Sequence, residues 1–290
     1  MEILFILFVA GLSAGGIYAL IGVGLVLIYK ATDVVNFAQG EIAMLGAYLG
    51  FIFLNFLHIP YLLAFLLAVA GTGAFGLLLD RAVFRGLIGA PIWTIILATL
   101  AVGITLKSLA RLTIGSDTYP LPPLFSMMPW SLGGIPLTPL NLGVILISTG
   151  LVLLLSAFFR FTRLGKAMRA TSQNQFAAVL MGISVKRVFS LAWVISAIFG
   201  AAAGLLLAPL LGINPEMGWV AVKGFAAAVA GGFTSLPGVV VGGFLLGVSE
   251  NFAGVYLSTA YKEAVAFVLL IVLLAVKPTG LFERQAKKRA

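Results

Sequence analysis

The sequence predicts an all-α fold, a bundle of about eight or nine helices that cross a membrane. Three observations predict it. Of 290 residues, 61% are hydrophobic and only 9% are charged, whereas soluble domains carry roughly 25% charged residues. Mean hydropathy is +1.16, which leaves too few polar groups to build a water-facing surface. Apolar runs recur along the whole chain at lengths near the roughly 20 residues that span a bilayer, with short polar connections between them.

The elements follow in order. Ile3–Tyr29 has no basic segment before it and is too long for a signal-peptide core, so it is expected to be an uncleaved first span. Glu41–Leu57 follows Asn36-Phe37-Ala38-Gln39, which has capping-box spacing. Tyr61–Leu79, Ile92–Leu112 and Leu140–Phe159 come next, with Pro91 and Pro139 at expected first helical positions, the latter after Thr138. Val188–Leu211 is a full-length span, whereas Trp219–Phe233 is short. With Gly238–Leu257 it is expected to form a broken or re-entrant hairpin over 219–257, turning around Thr234-Ser235-Leu236-Pro237. Irregular backbone at that depth is tolerated only inside protein or along a polar cavity. Glu263–Val276 is the last, short span, ended by Pro278-Thr279-Gly280.

Charge sets the orientation. With the N-terminus outside and the C-terminus in the cytoplasm, Lys30, Arg81, Arg85, the cluster at 160–187, Lys277 and the C-terminal basic residues all face inward. Of the 18 basic residues, only Lys107, Arg111, Lys223 and Lys262 fall elsewhere. The opposite orientation reverses the bias that cytoplasmic loops carry. The net charge of +9 is therefore read as topology and not as nucleic-acid binding. The chain is expected to be one transmembrane domain over 1–290, with a cytoplasmic loop at about 160–187.

Glycines recur four apart at Gly11 and Gly15, Gly46 and Gly50, Gly200 and Gly204, and Gly243 and Gly247. Small residues at that spacing let helix backbones approach closely.

Several chemistries are excluded. The chain has no cysteine and one histidine, His58, so disulfides, thiolate catalysis and Cys/His metal sites are not expected. Nothing matches the phosphate-binding G-x-x-x-x-G-K-[ST] pattern; Leu164-Gly165-Lys166-Ala167 lacks both the upstream glycine and the hydroxyl residue. If the chain takes part in ATP-driven work, hydrolysis belongs to another chain. A membrane enzyme is disfavoured on the same grounds.

Ionisable residues inside spans are functional candidates because burying them is costly. Glu41, after Asn36 and Gln39, is either a first-turn acid at the cytoplasmic interface or a lining of the pathway's inner end. Lys223 and Glu250 flank the 219–257 hairpin at similar depths; they pair structurally, or they offer charge to a zwitterionic substrate. Lys107 and Arg111, one turn apart, are expected to snorkel to the outer headgroups.

The 160–187 segment is the longest polar island. It carries Arg160, Arg163, Lys166, Arg169, Lys186 and Arg187 and no acid. Thr171 or Ser172 is placed to cap a helix of about ten residues, with Gly182 placed to stop it. Phe176, Val179, Leu180 and Ile183 share one apolar face. Such a helix fits a groove on a partner protein or lies on lipid headgroups, and the residues alone leave both open.

Three blocks carry a resemblance that covers nearly the whole chain. They are GGIYALIGVGLVLIYKATDVVNFAQGEIAMLGAY at 15–48, GKAMRATSQNQFAAVLMGISVKR at 165–187, and KGFAAAVAGGFTSLPGVVVGGFLLGVSE at 223–250, with KPTGLFER at 277–284 in support. Together they resemble the permeases of bacterial branched-chain amino acid ABC transporters, and within that family the first of two related permeases. The resemblance implies a multi-pass inner-membrane subunit of an importer. It implies that the 165–183 segment meets the ATPase subunit, with Gly165, Ala170, Asn174, Ala177, Ala178, Gly182 and Ile183 matching the usual pattern. Separate ATPase chains would hold ATP and magnesium, leaving this chain without a cofactor. A second related permease, making a heterodimer, and a periplasmic solute-binding protein would complete the machine. Related permeases serve urea, short amides or sugars. A secondary transporter or channel acting alone is the remaining alternative, with Glu41 or Glu250 as its ion site. Asn36, Gln39, Glu41, Lys223 and Glu250 are the candidate pathway or structural polar residues.

Overall fold

A computed structural model describes residues 2–132, 135–258, 261–277 and 280–282. The expected Pro278-Thr279 helix stop and the basic residues Arg284, Lys287, Lys288 and Arg289 lie outside the described residues, as does the side chain of Glu263.

The architecture is a helical bundle. Six helices are long and apolar enough to cross a membrane: α1 (Glu2–Thr32), α3 (Tyr61–Ala82), α4 (Ile92–Thr113), α5 (Pro139–Phe161), α8 (Val185–Leu211) and α10 (Leu236–Tyr256). Three more apolar helices are shorter: α2 (Gln39–Asn55), α9 (Val220–Gly231) and α11 (Lys262–Val276). Two polar helices, α6 (Arg163–Gln173) and α7 (Gln175–Leu180), make up the 160–187 island. A small hairpin of β1 (Trp130–Leu132) and β2 (Ile135–Leu137) pairs antiparallel, Trp130 opposite Leu137, in the long α4–α5 connection.

α1 and α8 form the centre. Both are apolar on every side, the pattern of a helix enclosed by others, and both are the most buried of the long helices. α4 and α5 keep most of their surface exposed, including Leu97, Ile104, Leu146 and Leu154, as a face turned to lipid does.

Glycine spacing sets the central crossings. A Cβ on Gly11 would fall 2.6 Å from the Val248 Cα, and one on Gly15 2.7 Å from the Gly243 carbonyl. The Gly11–Gly15 pair of α1 thus packs on the Gly243–Gly247 pair of α10. The Gly46–Gly50 pair of α2 packs on α8 at Ala201 and Leu205, and Gly204 packs on the backbone of Ala43. Without side chains the backbones touch, which is where helix association in lipid finds its dispersion energy.

Two spans are discontinuous. α1 ends at Thr32, residues 33–38 are not helical, and α2 begins at Gln39. That start lies deep, because Gln39 Nε2 donates to the Ser196 carbonyl (3.1 Å) and Ser196 Oγ reaches the Gly24 carbonyl (2.8 Å). Gly24 precedes the end of α1 by about 12 Å at the helical rise. The second break follows α8. Residues 212–219 run without α-helix, with a 3-10 turn at Met217–Trp219, before α9 starts. At the α8 end of that segment Ile213 and Tyr119 exchange both backbone hydrogen bonds (2.8 and 2.9 Å), pinning it to the α4–α5 connection.

Three local expectations are corrected. Asn36 and Gln39 do not form a capping box. Asn36 Oδ1 instead accepts from the Ala38 N–H (3.0 Å), and its Nδ2 donates to Gln39 Oε1 (3.2 Å), because Gln39 is drawn toward Ser196. Lys107 and Arg111 do not simply snorkel: both pair with Glu216. The island helix is capped at Asn174, not at Thr171 or Ser172, and spans six residues. Thr171 and Ser172 spend their hydroxyls on the Ala167 and Arg169 carbonyls within α6.

Candidate functional site

Two regions carry function-bearing chemistry: the α6–α7 island, and the polar groups where the discontinuous spans meet.

The island is a helix–break–helix. Thr162 caps α6 by accepting from the Gly165 N–H (2.9 Å). Gly165 is required there, because a Cβ would meet the Phe159 Cα at 2.6 Å across the α5–α6 bend. The Ala170 carbonyl accepts from the Asn174 N–H at the end of α6 (3.1 Å). Asn174 then opens α7, its Oδ1 accepting from the Ala177 N–H (2.9 Å). The end of α7 is closed by Gly182, at φ +79, and by the Ile183 N–H donating to the Ala178 carbonyl (3.0 Å).

Ala178 is buried, fixing α7 to the bundle, and Ala177 is exposed. Phe176, Val179, Leu180 and Met181 are 75%, 56%, 72% and 82% exposed, so a short apolar ridge stands free on an otherwise basic surface. A hydrogen bond adds a second tie: Gln175 Nε2 donates to the Ala31 carbonyl at the end of α1 (3.2 Å).

The second region lies between α2, α4 and α9. Gly40 and Gly218, at the starts of α2 and of the turn leading into α9, meet backbone to backbone. Glu41 lies beside them; its Oε1 would stand 3.1 Å from a Cβ at Gly218, and its Oε2 3.3 Å from one at Gly103. Asn36, Gln39 and Ser196 are fully buried and bonded to one another. A cavity of about 350 Å³ opens here, with Glu41, Lys107 and Glu216 among its lining. Lys107 Nζ is 2.5 Å from Glu216 Oε2, and Arg111 holds the other carboxylate oxygen. The Lys107 ammonium, followed by Arg111, holds the Glu216 carboxyl below its ordinary range.

Lys223 and Glu250 join α9 to α10: Nζ lies 2.6 Å from Oε1 of the buried carboxylate. The Tyr18 hydroxyl of α1 donates to the other oxygen (2.7 Å), and the Lys223 ammonium stands 5.6 Å from the Tyr18 ring centre. Three helices are thereby locked around one carboxylate. A fourth charged group, absent from the sequence reading, is Asp80 with Arg85 (3.2 Å) and Ser190 (2.5 Å), joining α3 to α8. Glu216 was also missed. An acid in a polar connection carries no local signal; only the fold brings it to α4. Among the described residues, no cluster of acids or histidine could hold a metal ion.

The model of the family described as "Branched-chain amino acid transport system / permease component" matches residues 7–274. The chain belongs to this family. It is 35% identical to the high-affinity branched-chain amino acid transport system permease protein LivH of Escherichia coli K12, over 94% of each chain. It is 33% identical to the corresponding permease protein BraD of Pseudomonas aeruginosa, over 95% of this chain and 94% of the relative. A relative in Methanocaldococcus jannaschii, described as a probable branched-chain amino acid transport permease protein LivH, is 30% identical over 90% and 87%. Among solved structures, PsaBC from Streptococcus pneumoniae in complex with Fab superposes with a TM-score of 0.53 at 14% identity, covering 94% of this permease and 91% of that chain. That likeness is one of fold.

Proposed function

We propose that this permease is the membrane subunit of an ATP-driven importer of branched-chain or other hydrophobic amino acids. The observation that carries this beyond family membership is the exposed ridge of α7, Phe176, Leu180 and Met181, hydrogen-bonded through Gln175 to the end of α1. A short amphipathic helix with a free apolar face fits a groove on a partner. The partner is an ATPase subunit, which supplies the nucleotide chemistry that this sequence lacks, with ATP and magnesium held there. Motion received at α7 passes to α1, the central helix, and shifts the bundle between two packed states.

A second related permease would complete the pathway, and a periplasmic binding protein would deliver substrate to the outer connections. The localisation is the bacterial inner membrane. The N-terminus lies outside, with α1, α3, α5, α9 and α11 running inward and α2, α4, α8 and α10 running outward. This nine-span reading counts α2 with residues 33–38, and α9 with the 3-10 turn at Met217–Trp219, as full crossings. Three contacts support its parity. Gln175 reaches Ala31 on the inner side; Tyr119 meets Ile213 on the outer side; and Leu281 and Phe282 donate to the Ala230 and Gly231 carbonyls at the inner end of α9.

The test is co-purification and uptake. The chain is isolated in mild detergent with its neighbours, and radiolabelled leucine uptake is measured in proteoliposomes with ATPases, both permeases and binding protein. ATP-dependent leucine uptake is the expected result. An ATP-independent transporter made of this chain alone overturns the reading.

A further inference from the structure

We infer that the cavity between α2, α4 and α9 is a zwitterion site, taking the ammonium of an apolar α-amino acid on Glu41 and its carboxylate on Lys107. This deepens the importer reading and rests on it.

Among the described residues, Asp80, Glu216, Glu250 and Glu41 are carboxylates that meet groups on other helices. Three are paired: Asp80 with Arg85, Glu250 with Lys223, and Glu216 with Lys107 and Arg111. Glu41 is half-buried, and apart from its own backbone N–H its carboxylate has no contact ion pair or hydrogen bond among the described residues. Its two oxygens stand beside Gly103 and Gly218, which present no side chain to it. Its compensation is its own backbone N–H and the field of Lys107, and an acid at this depth without a contact ion partner favours a visiting cation.

Lys107 lies one turn beyond Gly103 on α4, about 6 Å along the helix. Its ammonium has three donors and, among the described residues, one hydrogen-bond partner, Glu216. Glu216 does not depend on Lys107 alone, since Arg111 holds its other oxygen. Lys107 can therefore turn to a ligand carboxylate while Glu216 stays paired. An anion acceptor and a cation acceptor one helical turn apart match the two ends of an α-amino acid.

Apart from Asn36 and Glu216 the rest of the wall is mostly apolar, with Leu25, Val35, Phe37, Ile104, Val222 and Phe225. The volume of about 350 Å³ lies at the small end of ligand pockets. A neutral solute such as urea satisfies neither charge, and a sugar finds too few hydrogen-bonding groups on this wall.

Trp219 borders the cavity and is 69% exposed, which provides a probe. The purified chain in lipid nanodiscs is titrated with L-leucine, L-leucinamide, 4-methylpentanoate, isoamylamine and urea. Trp219 fluorescence is the readout, identified by its loss in Trp219→Phe. Leucine is expected to change the signal. Leucinamide and isoamylamine, which lack the carboxylate, and 4-methylpentanoate, which lacks the ammonium, are expected to bind about tenfold to a hundredfold more weakly, the value of one charged hydrogen bond. Glu41→Gln weakens leucine by a similar factor and leaves 4-methylpentanoate unchanged. Lys107→Met removes the preference for leucine over leucinamide, an independent arm should Glu41→Gln fail to fold. No leucine response in wild type, a response to urea equal to that of leucine, or isoamylamine equal to leucine overturns the site. If the complete importer with Glu41→Gln keeps its leucine uptake and KM, the site falls while the importer stands. If the wild-type importer carries no leucine, the importer reading falls first.

Discussion

The carbonyl of Gly218 occupies the space in which a side chain on Gly40 would begin. The starts of α2 and of the turn into α9 thus meet each other inside the protein. The 3-10 turn leads straight into α9, with the Trp219 N–H donating to the Glu216 carbonyl (3.1 Å), and Glu41 stands beside the contact. Discontinuous helices meeting near the middle of a bilayer are a recurrent way to build a site for a charged solute.

Gly40→Ala is therefore expected to disrupt more than its size suggests. The added methyl meets backbone, which cannot rotate away, and overpacking of this kind costs about 1–3 kcal/mol. Thermal unfolding in detergent should show a lower midpoint, and leucine uptake by the assembled importer should fall with it. Gly71→Ala is the control on α3, since a Cβ there meets only the Leu49 side chain, at 3.5 Å. If both variants unfold alike, the Gly40–Gly218 contact does not set the stability of this region.

Lys223 and Glu250 give the second prediction. Glu250 is buried and Lys223 half-buried, so removing one charge strands the other; breaking such a pair costs about 3–5 kcal/mol. Lys223→Met is expected to destabilise strongly, and Lys223→Met with Glu250→Gln to recover much of the loss. Tyr18→Phe should cost less, because it removes one hydrogen bond and leaves the pair. A double variant that folds like wild type yet transports nothing would shift the pair from structure to substrate contact.

How much of this was legible in the sequence follows from the range of each interaction. The helices, the Pro139 start and the Gly182 stop depend on neighbours within a turn or two, and residues that close carry their own signal. The glycine pairs marked where helix backbones approach closely, but that Gly11 and Gly15 meet Gly243 and Gly247 is set by the fold and carries no local signal. Lys223 and Glu250 could be matched by counting from a turn. Glu216 could not, because its partners are more than a hundred residues earlier in the chain. The misplaced cap has the same origin. Ser172 has the right spacing to Gln175, but its hydroxyl is taken by α6, and Gln175 turns away to Ala31. The depth at which α2 begins was equally hidden, since hydropathy reports how apolar a run is and not where its first turn sits.

The α7 ridge makes the third prediction. Phe176 and Leu180 are 75% and 72% exposed, so Phe176→Asp with Leu180→Asp should leave the bundle folded. Co-purification of the ATPases, and ATPase stimulation by loaded binding protein, should both fall to background. Asn174→Ala acts differently, removing the cap from α7 at about 0.5–2 kcal/mol. It is expected to weaken coupling partially while the ATPases still bind. Unchanged ATPase capture by the double aspartate variant would return α7 to lipid contact.

The fourth prediction concerns pH. Glu216 lies in the connection between α8 and α9, outside the spanning helices. Lys107 first, and Arg111 after it, hold its carboxyl below the ordinary value of 4.5. A carboxyl depressed in the folded state adds stability that is present above the unfolded value and is lost as pH falls through the folded one. The difference in unfolding midpoint between wild type and Glu216→Gln should thus be flat from neutral pH down to about 4.5 and should shrink only below that. The side chain is 50% exposed, so the difference is small and salt diminishes it at every pH. A difference that vanishes between pH 7 and 5 in low salt would mean that Lys107 and Arg111 do not clamp this acid, and that the outer connection is held by the Tyr119–Ile213 bridge alone.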